Sequence, residues 1–187
     1  MPKVLAYVEQ RGGSLKRAAG EVLGAARRLA DEGGPGEVTA VLIGHAVSSL
    51  GAALGPLGAD RVRALEHPSL APYSGEAYAR LLAAEVDRLK PDLVLFGASA
   101  MGKDLSPRVA AVCGAGLASD CVALEATAGG LAAWRTADSL SRMTQEGTKV
   151  LRVLEQDLTT ALASKTLPFD GRDTGLSCAV SRAFRPQ

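Results

Sequence analysis

Pro91-Asp92-Leu93-Val94-Leu95-Phe96-Gly97-Ala98-Ser99-Ala100-Met101-Gly102-Lys103-Asp104-Leu105-Ser106-Pro107-Arg108-Val109-Ala110-Ala111-Val112 decides the fold. The apolar run Leu93 to Phe96 ends in Gly97, a loop of small residues follows, and Pro107 then opens a segment of helical character. Ser106 is the expected N-cap and Pro107 the first helical residue of a helix reaching Ala115, since proline is pre-set for that position. Strand, glycine-rich turn and helix in this order make half of a βαβ unit, where open α/β sheets hold their ligands. Gly97 to Lys103 also fits G-x-x-x-x-G-K, the start of a phosphate-binding P-loop. Asp104 then stands where that motif needs Ser or Thr for Mg²⁺, and a carboxylate there would repel phosphate, so the motif fails at its last position.

Working outward, the same alternation continues in both directions. Lys3 to Val8 is a short apolar run of strand type. Gly12-Gly13 break it, and Ser14 is the expected cap of a helix whose apolar residues recur from Leu15 to Ala30. Val38 to Ile43 form a second strand, Ala46 to Leu57 a short helix, and Val62 to Leu65 a third strand. Ser74 caps a helix over Glu76 to Leu89, which buries Tyr78, Leu81, Leu82, Val86 and Leu89 on one face. Past the quoted block, Ser119 to Glu125 read as a strand, and Leu131 to Trp134 as its hairpin partner across Gly129-Gly130. This order indicates an α/β domain, a three-layer Rossmann-like parallel sheet covered on both faces, with a C-terminal hairpin/helical appendage. The domain spans residues 1–135. Residues 136–187 form an atypical tail, helical over 148–165 with an apolar face (Val150, Leu151, Leu154, Leu158) that packs on the sheet or self-associates. From Leu167 onward it is loose, because no period runs through it.

Composition narrows the function. A chain of 187 residues buries roughly 70% of its unfolded surface and needs no disulfide or metal to hold its core. Its net charge of +1 argues against nucleic-acid binding, which needs a basic surplus. One Trp, three Tyr and three Phe leave few stacking platforms for bases. Cys113, Cys121 and Cys178 lack the C-x-x-C spacing of a zinc or redox site and suit a reducing compartment. No run of about 18 apolar residues would cross a membrane, and a strand beginning at Lys3 leaves no room for a leader. His45 and His67 have no carboxylates or thiols at coordinating spacing and read as turn histidines, so no metal site is expected. Ser99 has no G-x-S-x-G elbow around it, and no catalytic constellation is visible. Arg27-Arg28 and Arg61 to Arg63 read as solvated helix and strand edges.

Three blocks together resemble the N-terminal domain of the electron-transfer flavoprotein alpha subunit. The first is Val4-Leu5-Ala6-Tyr7-Val8-Glu9 with Gly13-Ser14-Leu15 and Ala25-Ala26-x-x-Leu29-Ala30. The second is the block quoted above, and the third is Ser119-Asp120, which opens the next strand. The resemblance implies a Rossmann-like scaffold related to the adenine nucleotide alpha-hydrolase group, and an electron carrier subunit rather than an enzyme. It implies pairing with a beta subunit, with electrons taken from acyl-CoA and related flavin dehydrogenases of fatty acid beta-oxidation and passed to a quinone reductase or other acceptor. FAD belongs to a separate domain in the full-length family protein and is expected to be absent from this chain, while AMP is a ligand of the beta subunit. The setting implied is the bacterial cytoplasm or, as a mature form, the mitochondrial matrix. Family members continue into an Arg-Pro-x-Tyr-x-Gly segment, whereas here Arg135 is followed by Thr136-Ala137-Asp138-Ser139-Leu140-Ser141. Codons for these residues can be shifted by one base to read Arg-Pro-x-Leu-Tyr, so a frameshift is one account of the departure and truncation another.

Two readings of the switch-point loop remain open from sequence. Gly97, Ser99, Gly102, Lys103 and Arg108 could draw an anion or nucleotide to backbone N–H groups and a helix N-terminus. Alternatively, they make a capped helix with two solvated cations, one of them offset by Asp104. The first would suit a free-standing adenine-nucleotide-binding protein of universal-stress-protein type, the second a scaffold.

Overall fold

A computed structural model describes residues 2–32, 34–127, 130–135 and 176–181. The strands and helices are β1 (Lys3–Tyr7), β2 (Gln10–Arg11), β3 (Ser14–Leu15), α1 (Ala18–Glu32), β4 (Glu37–Gly44), β5 (Arg61–Glu66), α2 (Gly75–Leu89), β6 (Leu93–Gly97), α3 (Ala100–Cys113), β7 (Gly116–Thr127), β8 (Gly130–Arg135) and β9 (Leu176–Ser181). Short 3-10 turns occupy Ser48–Ala53 and Pro68–Leu70. The main sheet has the order β5-β4-β1-β6-β9-β7-β8. Its first four strands are parallel, with Ala6 paired to Ala40 on one side and to Leu95 on the other. β2 and β3 form a small separate hairpin.

Strand alternation sorts the core into two layers, one on each face of the sheet. Val4, Ala6, Val8, Ala40, Leu42 and Leu95 face one side, where they meet Val22, Leu23, Ala26 and Leu29 of α1. Leu5, Tyr7, Val41, Ile43, Val94 and Phe96 face the other, against Tyr78, Leu82 and Val86 of α2 and Leu105 and Val109 of α3. The central strands are buried on both faces, which is why they read as continuous apolar runs rather than alternating ones. This is the expected three-layer architecture. The expected hairpin is present too, with β7 and β8 antiparallel and Ala123 opposite Trp134.

Three local expectations are corrected. Ser14 does not cap α1; it lies in β3, and the helix begins at Ala18. Gly12 and Gly13 both take positive φ (57° and 76°), so the chain turns back as a hairpin before the helix starts. Ser106 and Pro107 do not open α3 either. That helix begins at Ala100 with Ser99 as N-cap, Ser106 is fully buried within it, and Pro107 lies inside. Within the segment 98–102, Gly102 disfavours helix and Ser99 favours a cap or turn, so together with Gly97 the segment looks like loop. Tertiary partners described below start the helix there.

The third correction concerns the C-terminal residues, read as loose. Leu176–Ser181 form β9, which inserts between β6 and β7 and runs antiparallel to both, with Val180 opposite Val94 and Leu117. The sheet is therefore mixed at this end. Leu176, Cys178 and Val180 alternate with Ser177, Ala179 and Ser181, but so short a run is a weak signal, and its place is set by the pair of open edges it closes. The helix expected over 148–165 lies outside the described residues.

Candidate functional site

A cleft of about 780 Å³ opens at the C-terminal ends of the parallel strands, where β1 and β6 lead their connections to opposite sides. Such switch points are the usual ligand positions of open α/β sheets. Glu9 follows β1 at its floor, Gly12 and Gly13 of the β2–β3 hairpin overhang it, and His45 and Ala46 follow β4. Tyr73 forms a wall and Ser99 to Met101 bring in the start of α3. Ala46 takes φ 53°, a left-handed conformation uncommon for a residue with a side chain.

The floor is built from residues far apart in sequence. The Ser99 hydroxyl donates to Glu9 Oε1 and accepts from the Gly102 N–H at 3.0 Å, while the Lys103 N–H donates to the Ser99 carbonyl at 2.9 Å. Glu9 is only 5% exposed. Burial pushes its carboxyl above the usual glutamate range, against the opposing pull of the Ser99 hydroxyl, the Gly102 N–H and Lys16. Gly97 and Gly102 are close-approach glycines. A Cβ on Gly102 would lie 2.0 Å from the Gly97 carbonyl oxygen and 3.3 Å from Glu9 Oε1. One on Gly97 would lie 3.1 Å from Ala18 Cβ. Gly102 is thus accounted for by the tight strand-to-helix turn, and Gly97 by the close pass of α1.

Among the anion candidates, the structure brings Gly97, Ser99 and Gly102 together around Glu9. Lys103 is exposed on the first turn of α3. Arg108 stands one turn further, where its Nε and Nη2 donate to Asp104 Oδ1 at 3.0 and 2.8 Å. The Tyr73 hydroxyl donates to Asp104 Oδ2 at 2.7 Å. Hydrogen bonds from Arg108 and Tyr73 hold the Asp104 carboxyl below the usual aspartate range. The carboxylate at the glycine loop is therefore Glu9, while Asp104 is engaged by Arg108 and Tyr73.

Glu9 and Tyr73 were not singled out from sequence. The available signal for Glu9 was a charged residue ending an otherwise apolar parallel strand; Tyr73 gave none, since it lies in a proline-containing connection. The tyrosine layer beneath the cleft is packed. Tyr73 meets Tyr78 edge-on at 5.0 Å, the Tyr78 hydroxyl donates to the Leu70 carbonyl at 2.9 Å, and the Tyr7 hydroxyl contacts the Met101 sulfur at 3.2 Å.

The remaining candidates have structural roles. His67 Nδ1 accepts from the Ser69 N–H and caps the turn Pro68–Leu70. The basic clusters are paired rather than merely solvated: Arg27 with Asp31 and Asp60, both at 2.8 Å, Arg61 with Glu37 at 3.2 Å, and Arg63 with Glu85 at 3.3 Å. Cys113 is partly buried and Cys121 buried. Among the described residues no group of three His, Cys, Asp or Glu could hold a metal ion, and no helix is long and apolar enough to cross a membrane.

The chain matches the family model of the electron transfer flavoprotein domain over residues 4–161, which extends past Arg135, where the motif resemblance stops. It is 42% identical over 125 residues to the electron transfer flavoprotein subunit alpha of Thermoanaerobacterium thermosaccharolyticum, covering 67% of this chain and 38% of that protein. The electron transfer flavoprotein subunit alpha of Bacillus subtilis is 39% identical over 127 residues, covering 68% and 38%. The acryloyl-CoA reductase electron transfer subunit beta of Anaerotignum propionicum is 40% identical over 119 residues, covering 64% and 32%. The chain spans about a third of the length of these curated relatives, from 32% to 38%.

Proposed function

The chain belongs to the electron transfer flavoprotein family, as the N-terminal α/β domain of an alpha subunit, and from this we propose that it is the scaffold of an electron carrier. Its part is to dock a beta subunit and to position a flavin held elsewhere in the complex. In that complex, electrons come from acyl-CoA and related dehydrogenases and go to a quinone reductase or another acceptor. FAD resides outside this chain and AMP in the beta subunit.

One observation carries the scaffold role beyond the family match: the glycine loop at the switch point is closed by the chain's own Glu9 and Ser99. A fold that commits its helix N-terminus to an internal carboxylate uses that position for architecture. A free-standing adenine-nucleotide binder would instead need the amides of 97–103 turned toward a phosphate.

The test is co-expression with an electron transfer flavoprotein beta subunit. Recovery of a stoichiometric complex, together with a chain that is colourless when purified alone, is the expected result. One tightly held flavin per isolated chain, or failure to form the complex, defeats the proposal. Micromolar stabilisation by AMP or ATP would favour the nucleotide-binding alternative, since a ligand that binds only the folded state raises the thermal midpoint.

A further inference from the structure

The β2–β3 hairpin stands over one side of the cleft, and Arg11, Gly12, Gly13 and, just after β3, Lys16 form its lip. Gln10 fastens this hairpin to the end of β4. Its side-chain Nε2 donates to the Ile43 carbonyl at 3.1 Å, and its Oε1 accepts from the Gly13 N–H at 3.4 Å. Gly44 has no side chain, and the space its Cβ would take is filled by the same Gln10 amide. The Lys16 N–H donates to the Glu9 carbonyl at 3.0 Å and closes the hairpin at its base.

The charges that this anchored hairpin presents are not matched within the chain. Among the described residues up to 127, every other arginine forms an ion pair with a carboxylate, from Arg17 with Glu21 to Arg108 with Asp104. Arg11 and Lys16 form none among the described residues, and both are exposed. The carboxylate in the lining, Glu9, is buried and held by Ser99. Opposite in character to the lip is the wall, where Ala71, Pro72, Tyr73 and Met101 supply apolar surface. The molecule as a whole is balanced at a net charge of +1, so the surplus is local to this lip.

We propose that the cleft is the docking site of an acidic segment of a partner protein. Its carboxylates meet Arg11 and Lys16, and a neighbouring apolar or aromatic side chain lies on Ala71, Pro72 and Tyr73. Exposed ion pairs are individually weak in water, so two cations on a lip do not hold a small free acid. They do steer a charged partner and fix its register, while the apolar wall supplies the affinity. A cleft of about 780 Å³ has room for a few residues of such a segment. The turn that starts α3 takes no part. This inference goes beyond the electron-carrier reading and does not rest on it.

The test titrates the full chain with the synthetic peptide acetyl-Glu-Asp-Phe-Asp-Glu-amide and with its neutral counterpart acetyl-Gln-Asn-Phe-Asn-Gln-amide, at low ionic strength. Backbone amide resonances report where each one binds. The acidic peptide should shift Gly12, Gly13 and Tyr73 and bind about tenfold more tightly than the neutral one, the order expected of two exposed ion pairs. Added sodium chloride should erase the difference. The double variant Arg11→Gln, Lys16→Gln alters two exposed side chains without ion-pair partners. It should keep the wild-type thermal midpoint and bind both peptides alike.

An acidic peptide that does not bind, that binds no better than the neutral one, or that shifts resonances away from the cleft overturns the proposal. So does a double variant that retains the preference, or one whose midpoint falls, since its cations would then serve the fold. Inorganic phosphate that shifts the same amides as strongly as the peptide would make the lip a simple anion site, and this too overturns it. A beta-subunit complex that forms while the acidic peptide is ignored defeats this inference alone. Binding of the peptide by a chain that forms no such complex defeats the electron-carrier reading alone.

Discussion

Glu85 of α2 receives both arms of the Arg63 guanidinium from the edge strand β5, Nε to Oε2 and Nη2 to Oε1, each at 3.3 Å. Arg88, one turn further along α2, donates to the same carboxylate. Because the acid is buried and its partners are half-exposed, one carboxylate fastens α2 to the outermost parallel strand.

Glu85→Gln should cost about 1–2 kcal/mol in urea unfolding at neutral pH. That is less than the loss of a wholly buried pair, since solvent screens both arginines. Burial raises the carboxyl of Glu85, but hydrogen bonds from Arg88 and Arg63 outweigh it and bring the pKa below the ordinary 4.5. With the folded pKa depressed, this contribution is full above pH 4.5 and is lost as pH falls through the folded value. Equal wild-type and Glu85→Gln stability at pH 7 would refute it.

Glu9 has the opposite sign. Its folded pKa is raised, so the folded chain holds its proton over a range where the unfolded chain has released it. Its contribution is present below about pH 4.5 and is lost as pH rises through the folded value. Glu9→Gln should therefore gain stability relative to wild type as pH increases across that window, measured as the difference between the two unfolding free energies. A difference that stays constant with pH contradicts this.

Two glycines should answer alanine in opposite ways. Gly102→Ala sets a Cβ 2.0 Å from the Gly97 carbonyl oxygen, and the backbone must shift. A loss of about 3 kcal/mol or more is expected, at the severe end for one substitution. Gly24 lies in α1 with nothing within 4 Å of the corresponding Cβ, so Gly24→Ala should stabilise by about 1 kcal/mol through helix propensity. Thermal unfolding of the pair gives both signs in one experiment.

All three tyrosines of the chain resist ionisation. Burial raises Tyr7 and Tyr78, and burial together with the hydrogen bond to Asp104 raises Tyr73. Folded protein should then show no tyrosinate absorbance as pH passes the ordinary value of 10.0, and the signal should appear together with alkaline unfolding. The unfolded chain releases these protons first, so stability falls as pH rises above that value. Tyrosinate forming near pH 10 while the circular dichroism stays native would contradict this assignment.

Much of this fold could be read from the chain directly. Val4 to Val8, Val38 to Ile43 and Leu93 to Phe96 announce buried parallel strands, because strands covered on both faces have no polar side to interrupt them. The helices packed on them show a 3.6-residue period, and Ser74 caps α2 as its position suggests. The turn at His67 is a local feature as well, and it was legible for that reason.

What tertiary structure alone decided lies in pairings across long separations. Glu9 and Ser99 are 90 positions apart, yet their contact places the start of α3 at Ala100, ahead of the Ser106-Pro107 signal that local propensity favours. β9 carries only a short alternation of Leu176, Cys178 and Val180, and its place between β6 and β7 is set by their open edges. Periodicity and capping express interactions within a few residues and are written in the order of the chain. The occupant of a turn or of a sheet edge depends on which distant segment the completed core brings there.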